Sequence, residues 1–293
     1  MSDLERVMVV LQGGLGNQLF QYAAGRVVAM EHGASLFFHE LIGGVGLESV
    51  LGTPIPHTPL VDLRRLVLYD PVTRSAKSLI GHRVRSARLH RSTRDATIRQ
   101  VGAHATSDKA LPTPTPCRLG LFGYFQHPTW FDPALPEVTA MLAATIARVA
   151  PAGLLLGGTV VSFRRGDYLR NGWGLDLTYY ERALAELDCS TGPVWVISDD
   201  PLFSTLAGAW LRHRGFEVEQ PPDLGISSRV RDLALLIGAD QVVMSNSTFC
   251  WWGVVTGDLQ RSRLGTRTVV APREWIPQVP DSSVLLRDGW ILT

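Results

Sequence analysis

Cysteine is scarce: three thiols in 293 residues, Cys117, Cys189 and Cys250, with no Cys-x-x-Cys pair and no Cys/His cluster. That excludes a disulfide framework or a zinc site written into the sequence, and fits free thiols in a reducing compartment. An excess of one charge is also missing. There are 28 Lys and Arg against 27 Asp and Glu, a formal net charge of +1, so no global field argues for nucleic acid or an acidic partner. Long apolar runs are absent too, since no stretch approaches the roughly 18 uninterrupted apolar residues of a spanning helix. The N-terminus carries Asp3 and Glu5, and its short apolar run breaks at Gly13-Gly14, unlike a secretory leader. A cytoplasmic protein is the expectation. What the chain has is core material: 45% of residues are hydrophobic and 19% charged, enough for one large domain or two medium ones.

The apolar run Met8 to Leu11 predicts a buried strand. Phe20, Ala23, Ala24, Val27 and Met30 then recur at helical spacing, predicting a helix from about Asn17 to Gly33. Residues 71–110 are rich in Arg and Lys with only Asp95 and Asp108 against them. They read as solvated helices, an acceptor-side surface, or a peripheral contact for anionic lipid. Gly120 to Phe125 predicts a strand and 134–149 a helix, with a domain boundary between Pro151 and Gly158. Beyond it strands and helices alternate. The strands are Val160 to Phe163, Val194 to Ile197, Phe216 to Val218, Val242 to Met244 and Thr268 to Ala271. Thr178-x-x-Glu181 reads as a capping box and Asp200-Pro201 as a helix start. Such alternation implies a parallel sheet covered on both faces, whose ligands bind beyond the carboxyl ends of its strands.

Three polar clusters fall at that edge. Arg164-Arg165-Gly166-Asp167 follows a buried strand directly and offers planar, permanently charged donors suited to a diphosphate; its plain alternative is a solvated turn. In Ser198-Asp199-Asp200-Pro201 a carboxylate has the geometry to accept paired hydrogens from a guanine edge, while Asp200 before Pro201 is equally a helix cap. Ser245-Asn246-Ser247-Thr248-Phe249 joins a strand to a helix, where free backbone N–H groups and the positive dipole end form an anion site; simple capping is the alternative. Trp251 and Trp252 read as core. Gly13-Gly14-Leu15-Gly16-Asn17-Gln18 lacks the Lys-Ser/Thr of a P-loop and has Leu19 where the dinucleotide fingerprint needs Gly. It lets backbone approach something closely, with Asn17 and Gln18 as uncharged donors.

As an ordered set these stretches resemble the bacterial α-1,2-fucosyltransferases of glycosyltransferase family 11. The family's Gly-Gly-Leu-Gly-Asn-Gln-Met/Leu-Phe-Gln-Tyr-Ala is matched from Gly13 to Ala23, and its His-x-Arg-Arg-x-Asp-Tyr from Arg164 to Tyr168. Its Ser-x-Asp is matched at Ser198 and Asp200, and its Ser-Asn-Ser-Ser/Thr-Phe-x-Trp-Trp from Ser245 to Trp252; Gly123-Tyr124-Phe125-Gln126 resembles a further family stretch. The resemblance implies an α/β fold of GT-B type, two Rossmann-like domains facing a cleft. Residues 1–152 would be the acceptor-side domain, and 153–293 the donor domain with a parallel sheet. It implies transfer of L-fucose from GDP-fucose to the 2-hydroxyl of a galactoside, with inversion, no cofactor and no metal. Arg164 and Asn17 would be catalytic, Arg164 at the β-phosphate and bridging oxygen and Asn17 reaching the same centre from the other domain. Gly14, Gly16, Gln18, Ser162, Arg165, Asp167, Ser198, Asp199, Asp200, Asn246, Ser247, Thr248 and Phe249 would bind the donor. Ser162 stands where the family usually has His, a departure that bears on donor identity. His39, Glu40, His127 and Asp176 are candidate bases for the acceptor hydroxyl.

Two close alternatives keep the scaffold and change the partners: another GDP-sugar, or a non-galactoside acceptor. From other classes, an NAD-dependent Rossmann oxidoreductase conflicts with the failed fingerprint. A nucleic-acid-binding protein resting on 71–110 conflicts with the balanced charge.

Overall fold

The structure is a computed structural model. It is described for residues 4–40, 46–57, 67–70, 75–78, 97–100, 118–149, 157–188, 192–221, 223, 225–261, 267–276 and 282–293. The chain divides into two compact units, Met1–Glu48 with Thr53–Val138 and Ser49–Gly52 with Thr139–Thr293. Of the boundary expected between Pro151 and Gly158, only Gly157 and Gly158 are among the described residues.

The first unit opens with β1 (Arg6–Leu11), α1 (Leu15–His32) and β2 (Ser35–Glu40), then α2 (Leu47–Leu51). It continues through β3 (Val67–Asp70), β4 (Ser75–Ser78), β5 (Thr97–Gln100), β6 (Arg118–Phe122) and α3 (Pro128–Phe131); α4 (Leu135–Val149) follows, its residues from Thr139 on belonging to the second unit. The strands form one sheet in the order β2-β1-β6-β5-β3-β4, in which the β3–β4 pair is antiparallel and the others parallel. β1 is buried from Val7 to Leu11, as expected of a strand covered on both faces. Helix α1 buries Leu19, Phe20, Ala23, Ala24 and Val27. It ends where Gly33, at φ 65, takes up the left-handed turn and donates its N–H back to the last carbonyls. The helical reading of 71–110 is corrected where the segment is described: Ser75–Ser78 and Thr97–Gln100 are strands. Thr97–Gln100 pairs in register with Leu119–Phe122, a long-range pairing that overrides weak local preference.

The second unit runs β7 (Thr159–Phe163), α5 (Gly166–Arg170), α6 (Leu177–Ala185), β8 (Val194–Ser198), α7 (Pro201–His213) and β9 (Val218–Glu219). It then returns through α8 (Ser228–Gly238), β10 (Gln241–Val243), α9 (Thr248–Arg261), β11 (Thr268–Ala271) and β12 (Ile291–Leu292). Its sheet is parallel throughout, in the order β12-β11-β10-β7-β8-β9. The first strand of the unit is therefore central. The chain winds outward through β8 and β9, then restarts beside β7 at β10 and winds the other way. In doubly wound sheets of this kind the crossovers are right-handed and the two sets of helices lie on opposite faces, and ligands bind beyond the carboxyl edge at the point of reversal, here between β7 and β10. On one face Tyr179, Tyr180, Ala183 and Leu184 of α6 and Ala207 and Leu211 of α7 pack on Val161, Val196, Val243 and Val270. Trp251 and Trp252 of α9 are fully buried, as core.

Two local expectations shift. Helix α6 is capped not by Thr178 but by Asp176, whose carboxylate accepts the Tyr179 N–H at 2.9 Å; a carboxylate two residues earlier satisfies the same orphan donors. The strand expected at Phe216 to Val218 is Val218–Glu219. Among the described residues no helix is long and apolar enough to cross a membrane.

Candidate functional site

β7 lies between β8 and β10, and all three run parallel. The loops leaving their carboxyl ends are therefore neighbours, and these loops are the three polar clusters. Tertiary contacts tie them together. The Asp199 carboxylate accepts the Arg165 backbone N–H at 2.8 Å through Oδ1, and its Oδ2 lies 3.0 Å from Arg164 Nη1. Arg164 Nη2 reaches Asp167 Oδ1 at 2.5 Å, and its guanidinium lies 5.1 Å from the centre of the Tyr168 ring. Among the described residues Arg164 Nε, buried, finds no hydrogen-bond partner. Two carboxylates thus hold the fork from its ends and leave N–H groups over. Gly166 is demanded by this arrangement, because a Cβ there would stand 2.6 Å from Asp199 Oδ2.

Arg165 is held differently. Its guanidinium stacks over Phe203, 3.8 Å from the ring centre, and Nε lies 3.5 Å from Asp200 Oδ2. Asp200 is at the same time the cap of α7, accepting the Phe203 N–H at 3.1 Å, and Ser198 Oγ accepts the Asp200 N–H at 3.1 Å. The capping reading of Asp200 thus holds in the structure, and Asp199 is engaged with the arginines. The five charged groups Arg164, Arg165, Asp167, Asp199 and Asp200 sum to one net negative charge (two positive, three negative). A phosphate gains here through directed N–H donors, not through an unbalanced positive field.

The third cluster leads into α9. Ser247 O accepts the Trp251 N–H at 2.9 Å, so the first turn begins at Ser247. Asn246 is fully buried and its Nδ2 donates to the Trp173 carbonyl at 2.8 Å, pinning the loop after α5; its Oδ1 has no hydrogen-bond partner among the described residues. Thr248 and Phe249 are half-buried at the helix N-terminus, where the dipole and first-turn N–H groups favour an anion. Ser162 is spent inside: its hydroxyl is 3.0 Å from Ser245 Oγ and it is 5% exposed. The same pocket of polar atoms holds Cys250, whose thiol is pushed up to about 11 by burial. Burial also raises Tyr179 and Tyr180, whose hydroxyls donate to the Met244 and Ser162 carbonyls. These two tyrosines brace the strand ends beneath the loops. Nothing in the sequence pattern had singled them out.

In the first unit the glycine loop and the loop after β6 are likewise neighbours, since β1 and β6 pair in parallel. Gly14 is the exposed N-cap residue of α1 and Gly16 is buried in its first turn. Gln18 is fully buried and its Nε2 donates to the Gly13 carbonyl at 3.4 Å. Asn17 Oδ1 accepts from Gln126 Nε2 at 3.0 Å. Gln21 accepts the Gln12 N–H at 2.9 Å and donates to the Gly123 carbonyl at 2.9 Å. Gln21 and Gln126 were not among the expected site residues, though both stand in the family-like stretches.

The candidate bases stand on β2 and at the starts of α3 and α6. His127 caps α3, its Nδ1 accepting the Thr129 N–H at 3.3 Å. His39 is half-buried near the end of β2, with Glu40 the last residue of that strand. Asp176 caps α6 and lines an open cavity of about 710 Å³ with Tyr179, Arg182 and Arg273.

No protein-family model matches the chain. Over 141 residues, 45% of the chain, it is 26% identical to the O-antigen biosynthesis glycosyltransferase WbnK of Escherichia coli. The matched stretch is 43% of that protein, so the chain spans less than half of this curated relative. The fold is similar to that of the fucosyltransferase NodZ from Bradyrhizobium, with a TM-score of 0.50 and 13% identity over 86% of this chain and 91% of that one. It is similar also to the E. coli heptosyltransferase WaaC solved with ADP, with a TM-score of 0.50 and 12% identity over 98% and 92%. The fold is of the GT-B type, α/β with largely parallel sheets, shared with these glycosyltransferases.

Proposed function

We propose that this chain is a glycosyltransferase that moves L-fucose from GDP-fucose to the 2-hydroxyl of a galactoside, inverting the anomeric carbon without a metal ion. The observation that carries it is the Arg164 fork at the switch point of the second sheet, held by Asp167 and Asp199 beside the N-terminus of α9. In glycosyl transfer the bond from the anomeric carbon to the β-phosphate oxygen breaks, the sugar becomes oxocarbenium-like, and GDP leaves with added negative charge. Donors already oriented toward that oxygen lower the barrier, because no reorganisation is needed as charge develops. Arg164 is the residue assigned to this task, with Arg165 and Ser247, Thr248 and Phe249 holding the diphosphate. Asn17 in the glycine loop is the uncharged donor of the same reaction. Inversion follows from attack by the acceptor hydroxyl on the face opposite the leaving group, its proton passing to solvent as the new bond forms. The partial likeness to an O-antigen glycosyltransferase supports the reaction class.

A second reading keeps the reaction and changes the donor sugar or acceptor. The observation favouring it is Ser162, whose hydroxyl is bonded to Ser245 where the resembling family carries His.

Calorimetry with GDP, GDP-fucose, GDP-mannose, UDP and NAD, with and without EDTA, separates these. GDP-fucose binding that survives EDTA is the expected result. Preference for GDP-mannose selects the second reading, and binding of NAD but no GDP species overturns both. An acceptor screen scored by product linkage then tests the galactoside.

A further inference from the structure

We infer that Gln126 is a positioning residue that fixes which end of the Asn17 amide faces the glycine loop. It rests on the proposed transfer reaction for its catalytic consequence, and on the first unit alone for its geometry. An amide has a donor end and an acceptor end of nearly equal size, so its orientation is set by what it meets. Asn17 Oδ1 meets the Gln126 Nε2 donor at 3.0 Å. That commits the oxygen and turns Nδ2 toward the loop, where it would stand 2.7 Å from a Cβ placed on Gly13. The Tyr124 ring also lies against Gly13, its Cε1 3.4 Å from the same point. Gly13 has no Cβ and a φ of 75, so the amide nitrogen can lie directly over the backbone.

Gln126 is itself placed at an energetic cost. Phe125, the residue before it, has φ 53, the one non-glycine residue with positive φ among the described residues. Its ring is fully buried and stacks edge-on against Trp130 at 5.1 Å. Packing thus enforces a backbone conformation that a β-carbon disfavours, and such strain persists where the surrounding structure over-determines it. The effect is to swing the 8% exposed Gln126 back toward α1, across 109 residues of sequence. Gln21 holds the start of the same loop by donating to Gly123 O.

The test uses Gln126→Ala, Gln126→Glu, Asn17→Ala and the Asn17→Ala/Gln126→Glu double variant of the full chain, with GDP binding by calorimetry and GDP-fucose hydrolysis as readouts. A carboxylate at 126 can only accept, so it pulls Nδ2 round and presents Oδ1 to the loop. Gln126→Glu is expected to lower kcat about a hundredfold and Gln126→Ala about tenfold, with KM moving far less. The double variant is expected to match Asn17→Ala, since the orientation of a missing amide is irrelevant. Equal effects of Ala and Glu at 126, or additive losses in the double variant, overturn the inference. A second readout is independent of the reaction: the Asn17 side-chain amide resonance is expected to shift in Gln126→Ala, and an unchanged resonance also overturns it. Failure of the wild-type chain to bind GDP would instead count against the proposed function.

Discussion

Replacing Asp199 by Asn keeps the shape of a side chain that touches both arginines and removes its charge. In the structure Asp199 accepts the Arg165 N–H at 2.8 Å and pairs with Arg164 Nη1 at 3.0 Å. An amide keeps the first contact through its oxygen but turns an NH2 group toward the guanidinium, so the loss falls on Arg164. A hydrogen bond to a charged group is worth about 1.5–3 kcal/mol net. Here the side chains are 30% and 25% exposed, and solvent screening takes off part, leaving ~1–2 kcal/mol. For a unit of this size that lowers Tm by about 3–6 °C. The functional consequence is larger than the stability change, because Arg164 is left pivoting on Asp167 and no longer points one way. A drop in kcat of roughly 10- to 100-fold is expected, since catalysis by oriented donors depends on their being fixed beforehand. Gly166→Ala probes the same carboxylate from the other side, pushing Asp199 away with a Cβ 2.6 Å from Oδ2 and leaving every charge in place. Thermal melts, GDP calorimetry and GDP-fucose hydrolysis on both variants give the answer. Wild-type melting, GDP affinity and turnover in both would refute the idea that Asp199 orients the fork.

Arg164→Lys is expected to abolish turnover while the protein stays folded by circular dichroism, because a point charge cannot hold two carboxylates and still present directed donors; near-normal turnover would sink the assignment. The Cys250 thiol, raised to about 11 by burial, is expected to resist iodoacetamide at pH 8 until the chain unfolds, followed by mass spectrometry of its peptide. Its raised value means this group's stabilising contribution is complete below about pH 9, the thiol's ordinary value, and is lost as pH rises through 11. A urea titration series that shows no such alkaline decline, or no difference from Cys250→Ala, counts against it. Gly253→Ala is expected to cost about 1–3 kcal/mol, since its Cβ would meet Leu236 Cβ at 2.6 Å where α8 and α9 cross; an unchanged denaturation midpoint would show that the helices can part.

Short-range signals were legible. Apolar runs marked β1, β7, β8, β10 and β11, helical spacing marked α1, and Gly33 marked its end, because hydrophobic period and capping are properties of a few consecutive residues. The clusters at 164–167, 198–200 and 245–249 could be placed at one sheet edge from alternation alone. The basic stretch 71–110 defeated the same method, since Thr97–Gln100 is a strand only through its pairing with Leu119–Phe122.

What each polar side chain does was decided by the tertiary structure. Asp199 reads locally as a nucleotide contact, yet it clamps arginines 34 and 35 residues upstream because β7 and β8 are neighbours. Ser162 is a donor-site expectation carried by the resemblance, and its hydroxyl turns inward to Ser245, 83 residues on, because β7 also borders β10. The Asn17 amide is oriented by Gln126 from 109 residues away because β6 lies against β1. The sequence by itself determined where the chain turns and which residue types stand at each turn. Strand order, set by burying both faces of each sheet, determined which of those turns meet, and therefore which groups are spent on one another and which are left to bind.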